Sequence, residues 1–472
     1  MSASQYRSRR SVIAIAALAL FLSGCATFSP DGGFDNVSAI TQERIGQPVS
    51  FSKPVAPAQA LSEAVSQLLA KPLTPDTAIQ IALLNNKGLQ ASFAQLGIAE
   101  ADLVQAGRIG NPEFSFSRMN LHEGVEIERS IMFDLIGILA MPVRVGLEKQ
   151  RFEQAKLLAA SQAVQLAADT RRAYFNAVAA QETAKYMEQV RSATDAGAEL
   201  ARRMASVGNI SKLDRARQQV LYADATGQLA RARHNATASR EQLKRLLGLS
   251  DANIPFTLPD RLPELPKAPR EMPDIEQLAM NQRLDVQMAK RNAEATASAL
   301  GLTKATRFIN VLHAGYANTS ETGEPRVNGY EIELVLPIFD WGGARTAKAE
   351  AIYMQSVHQA ADLGVRARSQ VREAYSAYRT TYDLAKHYRE EVVPLRRLIS
   401  EEVLLRYNGM LSSVFELLAD ARDQIGSVNA AIEAQRDFWI AETELQASIN
   451  GTGGNSLQIR GSAPAAAADA GH

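Results

Sequence analysis

The sequence predicts a mainly α-helical fold with a small β part, built from two internal repeats. Each repeat holds a long helical hairpin and two short strands. A long helix is expected from Glu148 to about Val207, and a matching one from Ala344 to about Tyr407. Each is followed by a glycine-containing turn and a second helix. Between the helices lie segments whose apolar residues recur at every second position, which is the period of a strand.

The length of the helical arms limits the architecture. At about 1.5 Å per residue, an arm of about 60 residues spans roughly 90 Å, which exceeds the width of an ordinary globular domain. The first arm is followed by Gly208 and resumes as a helix to about Leu247. The second is followed by Gly409 and resumes to about Ile449. A repeated hairpin of this length predicts a tube or a stalk.

Composition limits the classes of function. Lys and Arg total 51, as do Asp and Glu, so the formal net charge is zero and no nucleic-acid partner is expected. Apolar residues make up 46% of the chain and aromatic residues only 6%, which suits close contacts between helices. The single cysteine, Cys25, excludes an internal disulfide framework and a cysteine-based metal cluster.

The N-terminal segment 1–24 reads as a signal peptide. Arginines at positions 7, 9 and 10 precede an apolar stretch from Val12 to Leu22 that is too short for a normal spanning helix. The stretch ends in Ser23-Gly24-Cys25, which resembles the cleavage site of bacterial lipoproteins. That resemblance implies acyl chains, palmitate among them, on Cys25, and Ala26 after it favours the outer membrane. The alternative is an ordinary secretory signal that happens to contain a cysteine.

The mature chain divides into five predicted segments. Residues 25–70 are expected to form an acylated linker, and residues 71–250 the first repeat, whose helix begins after the N-cap Thr74 and breaks near Asn85. A proline-rich linker covers 251–273 and the second repeat 274–450. The tail, 451–472, is rich in Gly, Ser and Ala and is predicted to be disordered.

Two strands are predicted in each repeat, at about 113–120 and 125–135 in the first and about 309–318 and 329–338 in the second. In the last of these, Tyr330, Ile332 and Leu334 share one face and two glutamates share the other. The first repeat alternates less cleanly, because Arg118 and Arg129 interrupt the pattern. The residues Glu126-Ile-Glu128 recur as Glu331-Ile-Glu333, which supports an internal duplication.

Strands of this length are long enough to cross an outer membrane when tilted. Four strands cannot close a pore, and an open edge in lipid leaves backbone groups unpaired at a cost of several kcal/mol each. Three copies that share one barrel contribute twelve strands, an even number typical of such barrels. The glutamate face then meets water and the apolar face meets lipid. The alternative is an amphipathic sheet that packs on a soluble domain.

Part of the chain resembles a known family. The run from Glu333 to Arg345, which contains Leu-Pro-Ile-Phe-Asp-Trp-Gly-Gly, is similar to the strand-to-helix signature of the TolC-like outer membrane factors. The residues Arg406-Tyr407-Asn408-Gly409 resemble the second turn of that family, and Thr74 to Ala78 resembles the start of its first helix. The resemblance covers about residues 70–450. The first repeat departs from it, because Phe133 to Gly137 lacks the Pro and the Trp-Gly-Gly.

The resemblance implies an architecture, a location and partners. The expected protein is a homotrimer with a shared 12-strand β-barrel that continues as a periplasmic α-helical barrel. It is expected to lie in the outer membrane and to export solutes from an inner-membrane pump, of RND or ABC type, through a periplasmic adaptor protein. Two alternatives stay open: a channel for type I protein secretion, and a periplasmic coiled-coil scaffold lipoprotein without a pore.

The two turns are the candidate partner sites. Ser211 with Asp214, and Ser413 with Glu416, match the capping-box pattern, so a structural role explains them fully. The family resemblance implies that these turns, with Gly208 and Gly409, also contact the adaptor. The helices beyond them are expected to narrow the pore, where Asp420 and Asp423 are candidates for acidic rings. Equally, these acidic residues can lie on a solvated helix face, paired with nearby arginines.

Enzyme sites are not indicated by the sequence. The six histidines are scattered, with no pair at metal-ligand spacing on one helical turn. No phosphate-binding glycine loop and no nucleophile elbow occurs. Gly342-Gly343 is better explained as a sharp bend from strand into helix. The sequence therefore predicts no enzyme, no cofactor and no bound metal.

Overall fold

The structure is a computed structural model that describes residues 27–49, 58–122, 124–249, 255–308 and 311–453. Helices dominate these residues, and one antiparallel sheet accompanies them. Across the described ranges, the helices are all too short or too polar to cross a membrane. The predicted signal segment 1–24, the lipidation site Cys25 and the predicted disordered tail from residue 454 onward lie outside the described residues.

The first repeat contains short helices, a strand hairpin and a long helical hairpin, and two further helices precede it. The two preceding helices are α1 Phe34–Ile45 and α2 Ala58–Leu69. The elements of the repeat in chain order are α3 Pro75–Asn85, α4 Lys87–Ala106, β1 Glu113–Leu121, β2 Gly124–Asp134, α5 Leu135–Ser206 and α6 Lys212–Leu246.

The second repeat follows the same order. Its elements are α7 Ile275–Gln282, α8 Leu284–Ala305, β3 Leu312–Glu321, β4 Val327–Leu334, α9 Gly343–His387, a π-helical turn Tyr388–Val392, α10 Val393–Asn408 and α11 Val414–Asn450. The predicted duplication of helices and strands is therefore present in the fold.

The segment 25–70, predicted as an irregular linker, contains the two helices α1 and α2. The Ser29 backbone N–H donates to the buried Glu100 carboxylate at 2.6 Å, which ties the start of the described chain to α4. Phe34 packs edge-on against Phe93 with ring centroids 5.1 Å apart. The sequence hid these helices because they are short and only some of their apolar residues recur at helical spacing.

The break predicted near Asn85 is confirmed, because α3 ends at Asn85 and α4 begins at Lys87. The N-cap prediction for Thr74 is also confirmed. Its hydroxyl accepts from the Thr77 N–H at 3.2 Å, and the Thr77 hydroxyl accepts from the Thr74 N–H at 2.8 Å. This reciprocal pair satisfies two backbone donors at the helix start.

The first long helix begins earlier than predicted, at Leu135 instead of Glu148. The Asp134 carboxylate accepts from the Gly137 N–H at 2.8 Å and so caps the helix directly at the end of β2. Pro142 lies inside the helix, where it removes one backbone donor without ending the helix. The sequence predicts a later start, at Glu148, because the stretch free of proline begins only after Pro142.

The second arm, predicted as a helix from Ala344 to about Tyr407, is helical from Gly343 to Asn408, with one π-helical turn that the sequence does not predict. The arm contains Pro394, which has no N–H to continue the helical ladder. In the turn before it, the Val393 N–H donates to the Tyr388 carbonyl, a π-helical bond that spans five residues. The arm is therefore divided into α9, a π turn and α10.

The four strands form one antiparallel sheet in the order β1-β2-β3-β4. Each strand lies within about four residues of its predicted bounds. The largest difference is at β4, which ends at Leu334 instead of 338, because Pro337 cannot donate to a ladder. Among the described residues, β1 and β4 each pair on one side only.

The chain forms two compact units. One contains the sheet with residues 92–159 and 285–364, and the other contains most of both helical hairpins. In the second unit, the first hairpin buries many small residues, such as Ala177 and Ala184, and the second buries the aromatic rings of Tyr378, Tyr382 and Phe438. The described part of the proline-rich linker, residues 255–273, contains no helix or strand, and its Phe256 is buried in the core of this unit.

Candidate functional site

The sheet has two faces of different chemistry. Cross-strand pairing puts every carboxylate of the four strands on one face, with no arginine or lysine beside them. The only other titratable residue on that face is His313. These carboxylates belong to Glu113, Glu126, Glu128, Asp134, Glu321, Glu331 and Glu333. We name this the acidic face.

The opposite face, named here the apolar face, is ordered in rows across the strands. Nearest the helices lie the pair Leu312–Leu334, then the row Phe133–Ala314–Ile332, and then the row Phe114–Ile131–Tyr316–Tyr330. The next row toward the hairpin loops changes to Phe116–Arg129–Asn318–Asn328, and Arg118 lies one row further. Both arginines of the four strands are therefore on the apolar face, at its loop side.

The apolar-to-polar boundary is held by hydrogen bonds. The Tyr316 hydroxyl donates to the Asn328 side-chain oxygen at 2.6 Å, and the Asn318 amide donates to the same atom at 2.7 Å. Arg129 donates to Asn318 at 3.2 Å, and its guanidinium lies 6.0 Å from the Phe116 ring centroid. Neighbouring side chains from three strands thus form one polar row directly beyond an aromatic row.

Aromatic residues also lie at the helix side of the sheet, after β4. Phe339 is 99% exposed, and the exposed Trp341 packs edge-on against Phe308 at 6.4 Å. The predicted bend at Gly342-Gly343 is confirmed: Gly342 has φ +73°, and a Cβ there would lie 2.8 Å from the Arg307 carbonyl oxygen. An exposed apolar band thus has aromatic rings at both ends.

The acidic face has a close contact between a histidine and a glutamate near its helix side. His313 Nδ1 lies 3.3 Å from Glu333 Oε2, and Asp134 pairs with His313 across the sheet. Of the residues that the structure describes, no group of three or more His, Cys, Asp and Glu side chains is arranged to hold a metal ion. The close approach of β3 to β2 two residues from His313 requires Gly315, since a Cβ there would lie 2.0 Å from the Ile131 carbonyl oxygen.

The first turn closes as a Schellman motif. Gly208 takes the left-handed conformation with φ +79°, and the Asn209 N–H donates to the Met204 carbonyl at 2.9 Å. The Ser211 hydroxyl then accepts from the Asp214 N–H at 3.0 Å and caps α6. Asp214 accepts from the Ser211 hydroxyl and pairs with Arg217 at 3.3 Å.

The second turn has the same backbone but assigns its residues differently. Gly409 has φ −79°, and the left-handed position with φ 61° belongs to Met410. The Leu411 N–H donates to the Arg406 carbonyl at 2.8 Å, as in the first motif. Met410 therefore corresponds to Gly208. In the sequence, Gly409 lies seven residues before Glu416 whereas Gly208 lies six before Asp214, and with Met410 as the counterpart both spacings are six. Counting back from Ser413 would have found this, since the left-handed residue stands three before the cap in both turns.

The cap at the second turn is confirmed as well. The Ser413 hydroxyl accepts from the Glu416 N–H at 3.2 Å, and Glu416 accepts from the neighbouring Ser412 hydroxyl. The residues between the two helices are unusually apolar and open, with Met410 94% and Leu411 81% exposed. The turn therefore presents two apolar side chains to solvent, which a stable surface rarely does without reason.

The two aspartates predicted to narrow a pore lie on α11, and each contacts a side chain of α10 in the same hairpin. Asp420 is only 8% exposed and accepts from the Ser400 hydroxyl at 2.6 Å. Asp423 pairs with Arg396 at 3.1 Å. The next contact along this helix joins Arg422 to Asp224 of the first hairpin at 3.7 Å. These groups connect neighbouring helices of the chain.

Sequence reasoning missed a buried arginine that joins the second hairpin to α7. Arg283 is 2% exposed, and its guanidinium donates to the Ser448 carbonyl and to the Gln370 side chain, each at 3.0 Å. Charged hydrogen bonds of this kind position helices firmly, because an arginine stripped of water requires its partners. No pattern in a single sequence marks such a residue.

Comparison with known proteins bears on the whole fold. No family model matches the chain. It is 23% identical over 275 residues to the cobalt-zinc-cadmium resistance protein CzcC of Cupriavidus metallidurans, a match that covers 57% of this chain and 64% of that protein. The match therefore spans less than two thirds of the relative's length.

Two solved structures are similar in fold. The outer-membrane channel OprN superposes with a TM-score of 0.70 at 18% identity, over 82% of this chain and 92% of that one. The open state of the Neisseria gonorrhoeae MtrE outer membrane channel gives 0.67 at 17% identity, over 82% and 89%. The predicted fold resemblance is confirmed: the chain has the fold of these outer membrane channels.

Proposed function

We propose that this chain, which has the fold of outer membrane channels, is a TolC-like outer membrane factor: a homotrimeric efflux channel. The observation that carries the proposal is the two-faced sheet, in which β1 and β4 each leave one side unpaired among the described residues. A face with seven carboxylates cannot meet lipid, and a face of Phe, Tyr, Ile and Leu side chains does not need water. A barrel shared by several copies satisfies both faces and both edges.

Twelve strands follow from three copies. Within the chain, β2 of the first repeat pairs with β3 of the second. The same relation carried to the next copy pairs β4 with β1 of that copy, and three such junctions close a ring. We expect single cysteines placed in β1 and β4, in a Cys25-free background, to cross-link chains into a covalent trimer. Cross-linked products that stop at dimers on a denaturing gel would contradict the closed ring.

Conductance tests the pore. Purified full-length protein in a planar bilayer is expected to give uniform conductance steps, because the ring encloses water behind the acidic face. A scaffold without a pore gives none. Heat-denatured protein at the same concentration is the control.

The two turns are proposed as the docking sites for a periplasmic adaptor that connects the channel to an inner-membrane pump. Exposed Met410 and Leu411 offer apolar anchors, and the capped serines Ser211 and Ser413 hold both turns in one shape. Replacement of Met410 and Leu411 by serine is expected to abolish efflux in cells while conductance in bilayers persists. Loss of both activities would instead indicate a folding defect.

Lipid anchoring at Cys25 belongs to the same proposal and is supported by the lipoprotein-like cleavage site alone. Labelled palmitate is expected to enter the wild-type protein and to be absent from Cys25→Ser. Incorporation that is equal in both would contradict acylation at this residue.

Divalent metal cations are the cargo that two observations favour. One is the similarity to a cobalt-zinc-cadmium resistance protein. The other is the acidic face, which becomes the wall of the pore and attracts cations. A deletion strain is expected to become sensitive to cobalt, zinc or cadmium salts. Sensitivity confined to uncharged drugs, or loss of a secreted protein instead, would favour drug efflux or type I secretion.

A further inference from the structure

The position of the two arginines on the apolar face requires an explanation. In a barrel whose apolar face meets lipid, an arginine is strongly unfavourable at the bilayer midplane and close to neutral near the interface. Arg118 and Arg129 therefore belong at the level of the headgroups. The row pairing agrees, since both lie beyond the aromatic row that contains Tyr316 and Tyr330.

The apolar band lies on the helix side of this aromatic row. From Tyr330 to Leu334, the last residue of β4, it covers roughly 13 Å of strand at about 3.3 Å per residue. The exposed side chains of Leu336, Ile338 and Phe339 follow beyond the end of the strand.

Under the proposed function, the end of the sheet that carries the two hairpin loops faces the cell exterior. All four connections between this sheet and helices leave from the opposite end of the strands, at Glu113, Asp134, Leu312 and Leu334. With the helices in the periplasm, the two arginines face the outer leaflet.

We propose that Arg118 and Arg129 form a binding site for the phosphate groups of outer-leaflet glycolipid, of the lipid A type. The two residues are diagonal neighbours on adjacent strands, about 7–8 Å apart between Cα atoms. A guanidinium has five N–H donors in a planar fork that matches phosphate oxygens, and Asn318 takes one of those of Arg129. Arg118 is exposed and can close on the same phosphate from the other side.

The aromatic row supplies the rest of the site. Phe116 lies beside Arg129 and beneath Arg118 in the row pattern, so its ring covers the first acyl carbons while the arginines hold the headgroup. The Tyr316 hydroxyl orients Asn328, and Asn328 fixes Asn318, so the donor row is preformed. A preformed site loses less entropy when the lipid binds.

The test measures lipid retention by the reconstituted full-length protein. Vesicles of phosphatidylcholine contain either bisphosphorylated lipid A or its dephosphorylated form, and native mass spectrometry counts the glycolipid that each trimer retains after transfer to detergent. We expect about tenfold more of the phosphorylated form on the wild-type protein, and no preference in Arg118→Gln/Arg129→Gln.

Two controls separate charge from fold. Arg326→Gln removes the same charge at the same edge of the sheet but outside the rows, and is expected to keep the tenfold preference. Arg129→Lys is expected to keep part of it, since a lysine binds phosphate as a point charge. Equal retention of the two lipid A forms by the wild type, or an unchanged preference in the double variant, overturns the site.

The source of the phosphate is tested separately. Inorganic phosphate at millimolar concentration is expected to leave the retained lipid in place, because the buried acyl chains contribute binding that inorganic phosphate cannot replace. Full displacement by inorganic phosphate would overturn the lipid assignment. The inference rests on the proposed function, but the two are tested by different measurements. If the wild type and the arginine variants conduct equally in planar bilayers, the proposed channel stands, whatever lipid retention shows.

Discussion

The two helical hairpins share one turn geometry but are packed by different side chains. Counting from the capping serines Ser211 and Ser413, Phe438 stands where the first hairpin has Ala236. The Phe438 ring is fully buried, with the rings of Tyr378 and Tyr382 each 5.6 Å away. The first hairpin has the smaller Ala236 at that position, and its own buried rings, Tyr174 and Phe175, lie elsewhere on α5. A duplicated backbone can therefore keep its connections while matching positions hold side chains of different size.

The largest expected effect tests the aromatic core of the second hairpin. Phe438→Ala is expected to lower the free energy of unfolding by about 3–5 kcal/mol, because it leaves a cavity among rings that cannot collapse into it. Urea denaturation followed by circular dichroism measures it. Phe438→Leu, which keeps most of the volume, is the matched control and should lose clearly less. A loss below about 1 kcal/mol for the alanine variant would mean that the rings do not dominate this hairpin.

The left-handed residues of the two turns should respond with opposite sign. Gly208→Ala is expected to destabilise by about 1–2 kcal/mol, since nothing lies near the added Cβ and the cost is the backbone conformation alone. Met410→Gly should stabilise by roughly 0.5–1 kcal/mol, because relief of that strain exceeds the entropy cost of glycine. Gly409→Ala, at φ −79°, is the control and should change little. The same denaturation curves decide, and destabilisation by Met410→Gly would refute the assignment of the left-handed position.

The two caps should cost the same to remove. Ser211→Ala and Ser413→Ala each lose one hydrogen bond to a backbone N–H, of 3.0 and 3.2 Å, so each is expected to destabilise by about 1 kcal/mol. Ser→Asp at either position should retain most of the stability, because aspartate caps equally well. Unequal losses would show that the turns differ in more than their left-handed residue.

The smallest effect concerns pH. Burial raises the pKa of Glu442 on α11, although Arg270 and Arg171 oppose the shift. The folded state then binds more protons than the unfolded one between the ordinary pKa of a glutamate and the raised value, so stability falls as pH rises through that window. Glu442→Gln should remove this slope, with a gain in melting temperature at pH 7 that vanishes near pH 4. A wild-type melting temperature that rises through the window would contradict this sign.

The sequence predicted the repeats, the strands and the caps because each has a local signal: a period, a breaker or a hydrogen-bonding side chain at a fixed spacing. It failed where the deciding interaction is not local. Arg283 is buried by partners about 90 and 165 residues away. Met410 occupies the left-handed conformation that glycine usually takes, so the sequence points to the adjacent Gly409 as the turn residue instead. The π turn before Pro394 depends on how one arm bends, which residue types alone do not specify.

The equal length of the two turns makes them interchangeable parts. Four residues run from the left-handed position to the cap in each, 208–211 in the first and 410–413 in the second, and both begin and end in the same backbone geometry. Exchange of one of these four-residue segments for the other is expected to leave the bounds of the flanking helices unchanged. In the proposed trimer, the natural chain would present two kinds of turn in alternation, and a chain with two identical turns would present one kind six times. The symmetry that the proposed adaptor meets would thus be set by four residues and could be changed by substituting them.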